Sequence, residues 1–239
     1  MAESKGYLVE IFKGIQGEGI YVGEAQLFLR FAGCNLSCKY CDTTYALKIT
    51  SQCKIEEDKY LDNPIALGEV VDLIKEYQLP TISITGGEPL LQVEYLKLLL
   101  PLLEKEGYNI YLETNGTLPK QLTKILRWVN IISADLKLPS FSGNNILFQE
   151  HQEFLRIAKE KEVFVKVIVT AETTLEEVEK AAHLISKVDS KIPLILQPAT
   201  KDGKMMEKYE QLIIFQNRAL VKLKTVRIIP QIHKLMKWR

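Results

Sequence analysis

Three thiols, Cys34, Cys38 and Cys41, fall within the stretch Cys34-Asn35-Leu36-Ser37-Cys38-Lys39-Tyr40-Cys41-Asp42-Thr43. No apolar leader follows Met1-Ala2-Glu3-Ser4-Lys5, and in a reducing cytosol cysteines this close are expected to hold a metal or cluster rather than form disulfides. Three cysteines leave one corner of a tetrahedral centre, or one iron of a cubane, without a protein ligand, and chemistry is expected at that position. A structural zinc site closes its shell, usually with two CxxC-type pairs or two cysteines and two histidines. Here His151, His183 and His233 form no spaced pair near the loop and Cys53 stands alone, so zinc is the weaker reading.

A second stretch with chemical potential is Thr85-Gly86-Gly87-Glu88-Pro89, directly after the apolar run Thr81 to Ile84. Glycines at a strand end let backbone approach a ligand and leave amides free, at an entropic cost that asks for a reason. A third is Gly14-Ile15-Gln16-Gly17-Glu18-Gly19, which by itself reads as a glycine-rich turn with solvated Gln16 and Glu18. Arg30 precedes the first cysteine by four residues, and its fork suits a carboxylate.

These residues must be positioned by the elements between them. Leu8 to Phe12 and Gln26 to Phe31 read as strands, and 45–63 as a polar loop or small insertion holding Cys53 and the run Glu56-Glu57-Asp58-Lys59. Helix and strand then alternate: helix Glu69 to Tyr77, strand Thr81 to Thr85, helix Val93 to Lys105 with a possible kink at Pro101, and strand Asn109 to Thr114. Next come helix Lys120 to Trp128, strand Ile131 to Leu136, helix Ile146 to Lys161, strand Val163 to Val169 and a helix to Ser186 with Thr173 and Glu176 as its capping box. Strand Leu194 to Leu196, helix Met206 to Val221 and strand Val226 to Ile229 close the series. Such alternation predicts an α/β fold with a parallel sheet, and six strands after the first hairpin are too few for a closed eight-stranded barrel. The expected architecture is an open, partial (β/α)6 barrel in one domain over 1–239, with a cluster loop at 32–44 and a tail at 230–239. Ligands of such sheets sit at the strands' C-terminal ends, where the cysteines, TGGEP, Glu113 to Gly116, Ser133 to Lys137, Lys166, Gln197-Pro198 and Pro230-Gln231 all fall.

A net charge of +1 over 239 residues gives no field that would draw nucleic acid or a membrane, and no apolar run approaches a membrane span. The basic stretch from Lys222 to Arg239 is interleaved with Val226, Ile228, Ile229 and Leu235, so it reads as a last strand with a solvated tail. A soluble cytoplasmic protein is expected.

The CxxxCxxC loop, with Tyr40 before its last cysteine, resembles the cluster loop of radical S-adenosylmethionine (SAM) enzymes, and TGGEP resembles the stretch with which that superfamily grips the SAM amino group. The resemblance implies that Cys34, Cys38 and Cys41 bind three irons of a 4Fe-4S cluster, with SAM on the fourth. Phe12 through Gly19, Phe28 through Leu36 and Cys41-Asp42-Thr43 together resemble the 7-carboxy-7-deazaguanine synthase family, over most of the chain. This implies conversion of 6-carboxy-5,6,7,8-tetrahydropterin to 7-carboxy-7-deazaguanine with loss of ammonia, toward queuosine or archaeosine, by hydrogen abstraction from C6 with a SAM-derived radical. It further implies a magnesium ion, a homodimer and an electron donor such as flavodoxin or ferredoxin.

By the same resemblance Thr43 ligates magnesium; Ile15, Gln16, Gly17, Arg30 and Thr85 hold the pterin; and Glu18 accepts from its guanidine-like edge. SAM is expected along Tyr40, Cys41, Asp42, Gly87, Asn115, Ser133, Asp135 and Lys137. Some relatives have a shorter Ser-Pro-Lys where this chain has Ser-Ala-Asp-Leu-Lys, so the member of Ser133, Asp135 and Lys137 that faces the ribose stays open. Pro230 to Lys234 falls where the family closes its pocket, and no histidine is given a proton-transfer role. The alternatives are a radical SAM activating enzyme for a glycyl-radical partner, and a non-enzymatic zinc or cluster scaffold.

Overall fold

The computed structural model describes residues 5–56, 59–143, 147–201, 204–205 and 209–237. Its main sheet has ten strands: β1 (Leu8–Ile15), β2 (Ala25–Phe31), β3 (Gln52–Ile55), β4 (Lys59–Asp62), β5 (Thr81–Gly86), β6 (Asn109–Thr114), β7 (Ile131–Asp135), β8 (Glu162–Val169), β9 (Leu194–Pro198) and β10 (Val226–Ile228). Their order is β10-β9-β8-β7-β6-β5-β2-β1-β3-β4. From β2 to β10 every neighbouring pair is parallel, and β1 turns back antiparallel on β2. The two ends of the order do not pair with each other, so the sheet is an open α/β partial barrel, as the alternation predicts.

The helices are α1 (Leu67–Lys75), α2 (Val93–Lys105), α3 (Pro119–Ile125), α4 (Pro139–Ser142), α5 (Phe148–Ala158), α6 (Leu175–Val188), α7 (Tyr209–Leu220) and α8 (Ile232–Met236). The starts expected at Ile146 and Met206 lie outside the described residues. Pro101 sits inside α2, which continues to Lys105.

Two expectations need correction. The 45–63 stretch is not simply a loop: β3 pairs parallel with β1, and β4 pairs antiparallel with β3, so a hairpin widens the sheet at that edge and buries Cys53 completely. The capping box of α6 is formed by Thr174 and Glu177, one residue later than expected. The Thr173 hydroxyl is occupied elsewhere: it accepts from the Thr170 amide at 2.9 Å and meets Ser140 Oγ at 2.9 Å.

Side chains along a strand alternate between faces, so each strand divides its residues between two environments. On one face Leu29, Ile84, Leu112, Ile132, Val165 and Leu196 join the main apolar core, with α2, α3, α5, α6 and α7 contributing Leu99, Leu122, Phe154, Ile185 and Phe215. On the other, Tyr111, Ile131, Phe164 and Ile195 form a second cluster with Ile20, Tyr21 and Ile229. That cluster is a floor. Farther along the same face come Thr85, Glu113, Ser133, Asp135, Lys166 and Gln197, at the strands' C-terminal ends.

Candidate active site

One pocket opens at those ends, lined among others by Gln16, Glu18, Arg30, Thr85, Glu113, Asp135, Lys137, Lys166, Gln231 and His233, and by all three cysteines of the loop. On its β1 side, Gln16 is buried and its Nε2 donates to Glu113 Oε1 at 3.0 Å; Thr85 Oγ1 donates to Glu113 Oε2 at 2.7 Å, so one carboxylate joins two strands and a loop. Arg30 donates through Nε to Glu10 at 2.6 Å, an oxygen that also receives the Tyr45 hydroxyl, and the guanidinium lies 5.7 Å from the centre of the Phe12 ring. Phe12 in turn stacks on Phe28, with ring centres 5.0 Å apart. Glu18 is ion-paired with Lys166 and accepts from Gln231 Nε2 at 2.8 Å.

The cluster loop forms the opposite wall. Its root is pressed against the glycine pair: a Cβ on Gly86, whose φ is +139°, would come 2.2 Å from the Phe31 carbonyl oxygen, and one on Gly87 would come 2.2 Å from that of Gly33. Larger residues cannot stand there without moving backbone, which gives the Gly-Gly pair its reason. Just beyond, Glu88 is fully buried and accepts from Leu90 N at 3.0 Å, Thr114 Oγ1 at 2.9 Å and Asn115 N at 2.8 Å. Asn115 carries the linkage to the loop, donating from Nδ2 to Asn35 Oδ1 at 2.8 Å.

Two carboxyls, Glu18 in the pocket and Glu88 buried just behind it, are driven in opposite directions. Burial pushes Glu88 up to about 7, more than its uncharged hydrogen-bond donors and the more distant Lys137 can offset. Burial is also the largest influence on Glu18 and opposes its ionisation, but the Lys166 ammonium together with the hydrogen bonds from Gln231 and Lys166 overcomes it and holds the carboxyl down to about 2. Burial raises the thiols of Cys34 and Cys38; Lys137 pulls both the other way. For Asp42 burial is again overcome, by Lys234 Nζ at 2.6 Å with help from Gln231 and Thr43, and its pKa falls.

Residues 29–185 match the family model of the radical SAM superfamily. The chain is 40% identical to the 7-carboxy-7-deazaguanine synthase of Geobacter sulfurreducens, across 99% of both proteins, and 35% identical to that of Methanopyrus kandleri, across 95% of this chain and 92% of the relative. The chain belongs to the 7-carboxy-7-deazaguanine synthase family of radical SAM enzymes. Its fold is also that of QueE from Escherichia coli, with a TM-score of 0.65 over 96% of this chain and 95% of that one at 21% identity.

For a 7-carboxy-7-deazaguanine synthase relative, the implied groups can be tested against the residues present. A tetrahedral zinc would require its ligands to converge on a single ion. Among the described residues, no three His, Cys, Asp or Glu side chains do so. A cubane spreads three thiolates over three irons, and three free, half-buried thiols along one wall suit it. At the end of β9, Gln197 is fully buried and among the described residues neither its amide oxygen nor its nitrogen has a partner, which leaves hydrogen-bonding capacity beside the site. The donor set fits a cluster and a polar cosubstrate.

Most of the expected site residues line this one pocket: Ile15, Gln16, Gly17, Glu18, Arg30, Cys34, Cys38, Cys41, Asp42, Thr43, Thr85, Gly87, Asn115, Asp135 and Lys137. Two expected SAM contacts do not. Ser133 is 2% exposed below the pocket, and the Tyr40 hydroxyl reaches Glu172 at 2.7 Å. The sequence placed Glu113, Lys166 and Gln231 at the ligand-bearing strand ends and Lys234 in the segment that closes the pocket, but gave none of them a specific partner. Glu113 and Lys166 carried a further signal, a charge embedded in an apolar strand; the partners of Gln231 and Lys234 lie 189 or more residues away, beyond local pattern.

Proposed function

We propose that this chain converts 6-carboxy-5,6,7,8-tetrahydropterin to 7-carboxy-7-deazaguanine with release of ammonia, in 7-deazapurine nucleoside biosynthesis. The observation that carries the reading is one pocket walled by three free thiols on one side and by Gln16, Arg30, Thr85 and Glu113 on the other. When bound, the cluster and SAM supply one-electron chemistry that removes a hydrogen atom from carbon.

The chain's own residues bind and orient. Cys34, Cys38 and Cys41 hold the cluster, and Gly87, Asn115, Asp135 and Lys137 border the SAM side. Gln16, Thr85 and the carboxylates of Glu113 and Glu18 present acceptors and donors to the pterin ring, whose amino edge needs acceptors. Arg30, braced by Glu10, addresses the substrate carboxylate as a fork. Magnesium prefers oxygen and keeps waters; the Thr43 hydroxyl suits it, while Asp42 is engaged by Lys234 and Gln231.

Anaerobic incubation of the reconstituted protein with SAM, dithionite, magnesium and the carboxypterin should yield the ring-contracted acid. An intact cluster that gives no such product would refute the reading. A homodimer, a flavodoxin-like or ferredoxin-like donor, a single domain and a cytoplasmic setting belong to the same proposal. Sedimentation and donor-dependent turnover test the first two. No helix among the described residues is long and apolar enough to cross a membrane.

A further inference from the structure

Lys166 lies on β8, 4% exposed, at a position where its neighbours Val165 and Val167 belong to the apolar core. Burying an ammonium is costly, and even a well-paired buried ion pair contributes little net stability, so folding alone does not explain this lysine. It is paired twice, with Glu18 Oε2 and with Asp135 Oδ1 at 3.3 Å. The other Asp135 oxygen takes Lys137 Nζ at 2.7 Å. Charges therefore alternate along Glu18, Lys166, Asp135 and Lys137, from the Gln16-Gly17-Glu18 loop across the pocket to the side of Cys34 and Cys38.

The surrounding groups set the charge state of each member. Glu113 and Tyr111 on β6 also act on Lys166, and Asp42 acts on Glu18 from the cluster loop. Burial works against the Lys166 ammonium, yet Asp135 and Glu18 keep it charged. Glu18, deprived of that cation, would keep burial and Asp42 as the influences that favour its protonated form. A protonated carboxyl gives up acceptor capacity, and an amino edge that only donates then loses its match.

We propose that Lys166 is a positioning residue for the substrate: held between Glu18 and Asp135, its ammonium aims the Glu18 carboxylate at the amino edge of the pterin and ties that edge to the SAM side of the pocket. This rests on the pterin reading given above. Lys166 itself acts through Glu18 and takes no part in hydrogen abstraction.

The test compares reconstituted wild type, Lys166→Met, Glu18→Gln and the double variant, reading KM for the carboxypterin, kcat, and 5′-deoxyadenosine release from SAM without pterin. Lys166→Met should raise KM on the order of 30-fold, a larger change than its effect on pterin-free SAM cleavage. In the Glu18→Gln background the same substitution should raise KM by less than about threefold, because the residue it acts through is already altered. An unchanged KM in Lys166→Met, or an undiminished rise in the Glu18→Gln background, overturns the proposal. If Lys166→Met does not fold, Lys166→Gln keeps a donor without the charge and carries the same comparison. Wild type that cleaves SAM but never forms the ring-contracted acid shows instead that the pterin reading has failed, and the role of Lys166 falls with it.

Discussion

The two faces of the same strands make the most instructive contrast in this molecule. In β5 the sequence Thr81-Ile82-Ser83-Ile84-Thr85 sends Ile82 and Ile84 into the apolar core, while Thr85 reaches the pocket and donates to Glu113. In β8, Val165 and Val167 face the core and Lys166 faces Glu18. One backbone ladder holds both sets in register, so the face that contributes to folding and the face that contributes chemistry are one residue apart. The contrast teaches that a substitution should act on stability or on turnover according to its parity along the strand.

The sharpest way to break this contrast is at the cysteine wall, which neither face of the sheet supplies. Cys34→Ala should abolish SAM cleavage and leave thermal unfolding of the apoprotein close to wild type. Normal 5′-deoxyadenosine production by this variant would remove Cys34 from the ligand set. On the core face, Leu112→Ala should lower unfolding free energy by about 2–5 kcal/mol, measured by denaturant titration, with the KM of the surviving folded protein little changed. A large KM effect there would erase the distinction between faces.

On the pocket face, Thr85→Val keeps the shape but removes the hydroxyl that Glu113 receives. It should raise the carboxypterin KM about tenfold and cost only about 1 kcal/mol of stability, an inverse pattern to Leu112→Ala. Glu18 in the pocket and Glu88 behind it give the smallest and most specific test. The folded pKa of Glu88 is raised from 4.5 to about 7, so its contribution to stability is full below 4.5 and is lost as pH climbs through 7. Glu18 runs the other way, with its contribution full above 4.5 and lost as pH falls toward 2. Between pH 4.5 and 7.5 the melting temperature of the Glu88→Gln apoprotein should therefore decline less than that of wild type. Parallel curves would contradict the raised carboxyl.

Much of this division was legible beforehand. The alternation of helices and strands pointed to the open parallel sheet, and the cysteine spacing with TGGEP pointed to the wall that carries the three thiols. What escaped has definable causes. Gln52 to Ile55 and Lys59 to Asp62 are only four residues each, so the alternation that buries Cys53 and Ile55 is too brief to stand out in a polar stretch. The capping box was ambiguous because Thr173-x-x-Glu176 and Thr174-x-x-Glu177 satisfy the same rule, and only the tertiary contacts of Thr173 decide between them. Lys166 stood out at a strand end, but its partner Glu18 lies 148 residues away, beyond the reach of local pattern. Ser133 was one of three strand-end residues among which the ribose contact stayed open, and its burial on the strand puts it below the pocket.

The register that sets Asp135 beside Lys166 also sets Ala134 beside Val165. Deleting one residue from the middle of β8 would swap those roles for half the strand, driving an ammonium among the helices and a valine into the polar chamber. Changes of length inside β8 should thus be far more damaging than changes of letter, whereas the short turns outside the paired ladders can absorb an added residue. Laboratory evolution of this pocket is best attempted by exchange at fixed positions, with gaps and insertions kept out of the sheet.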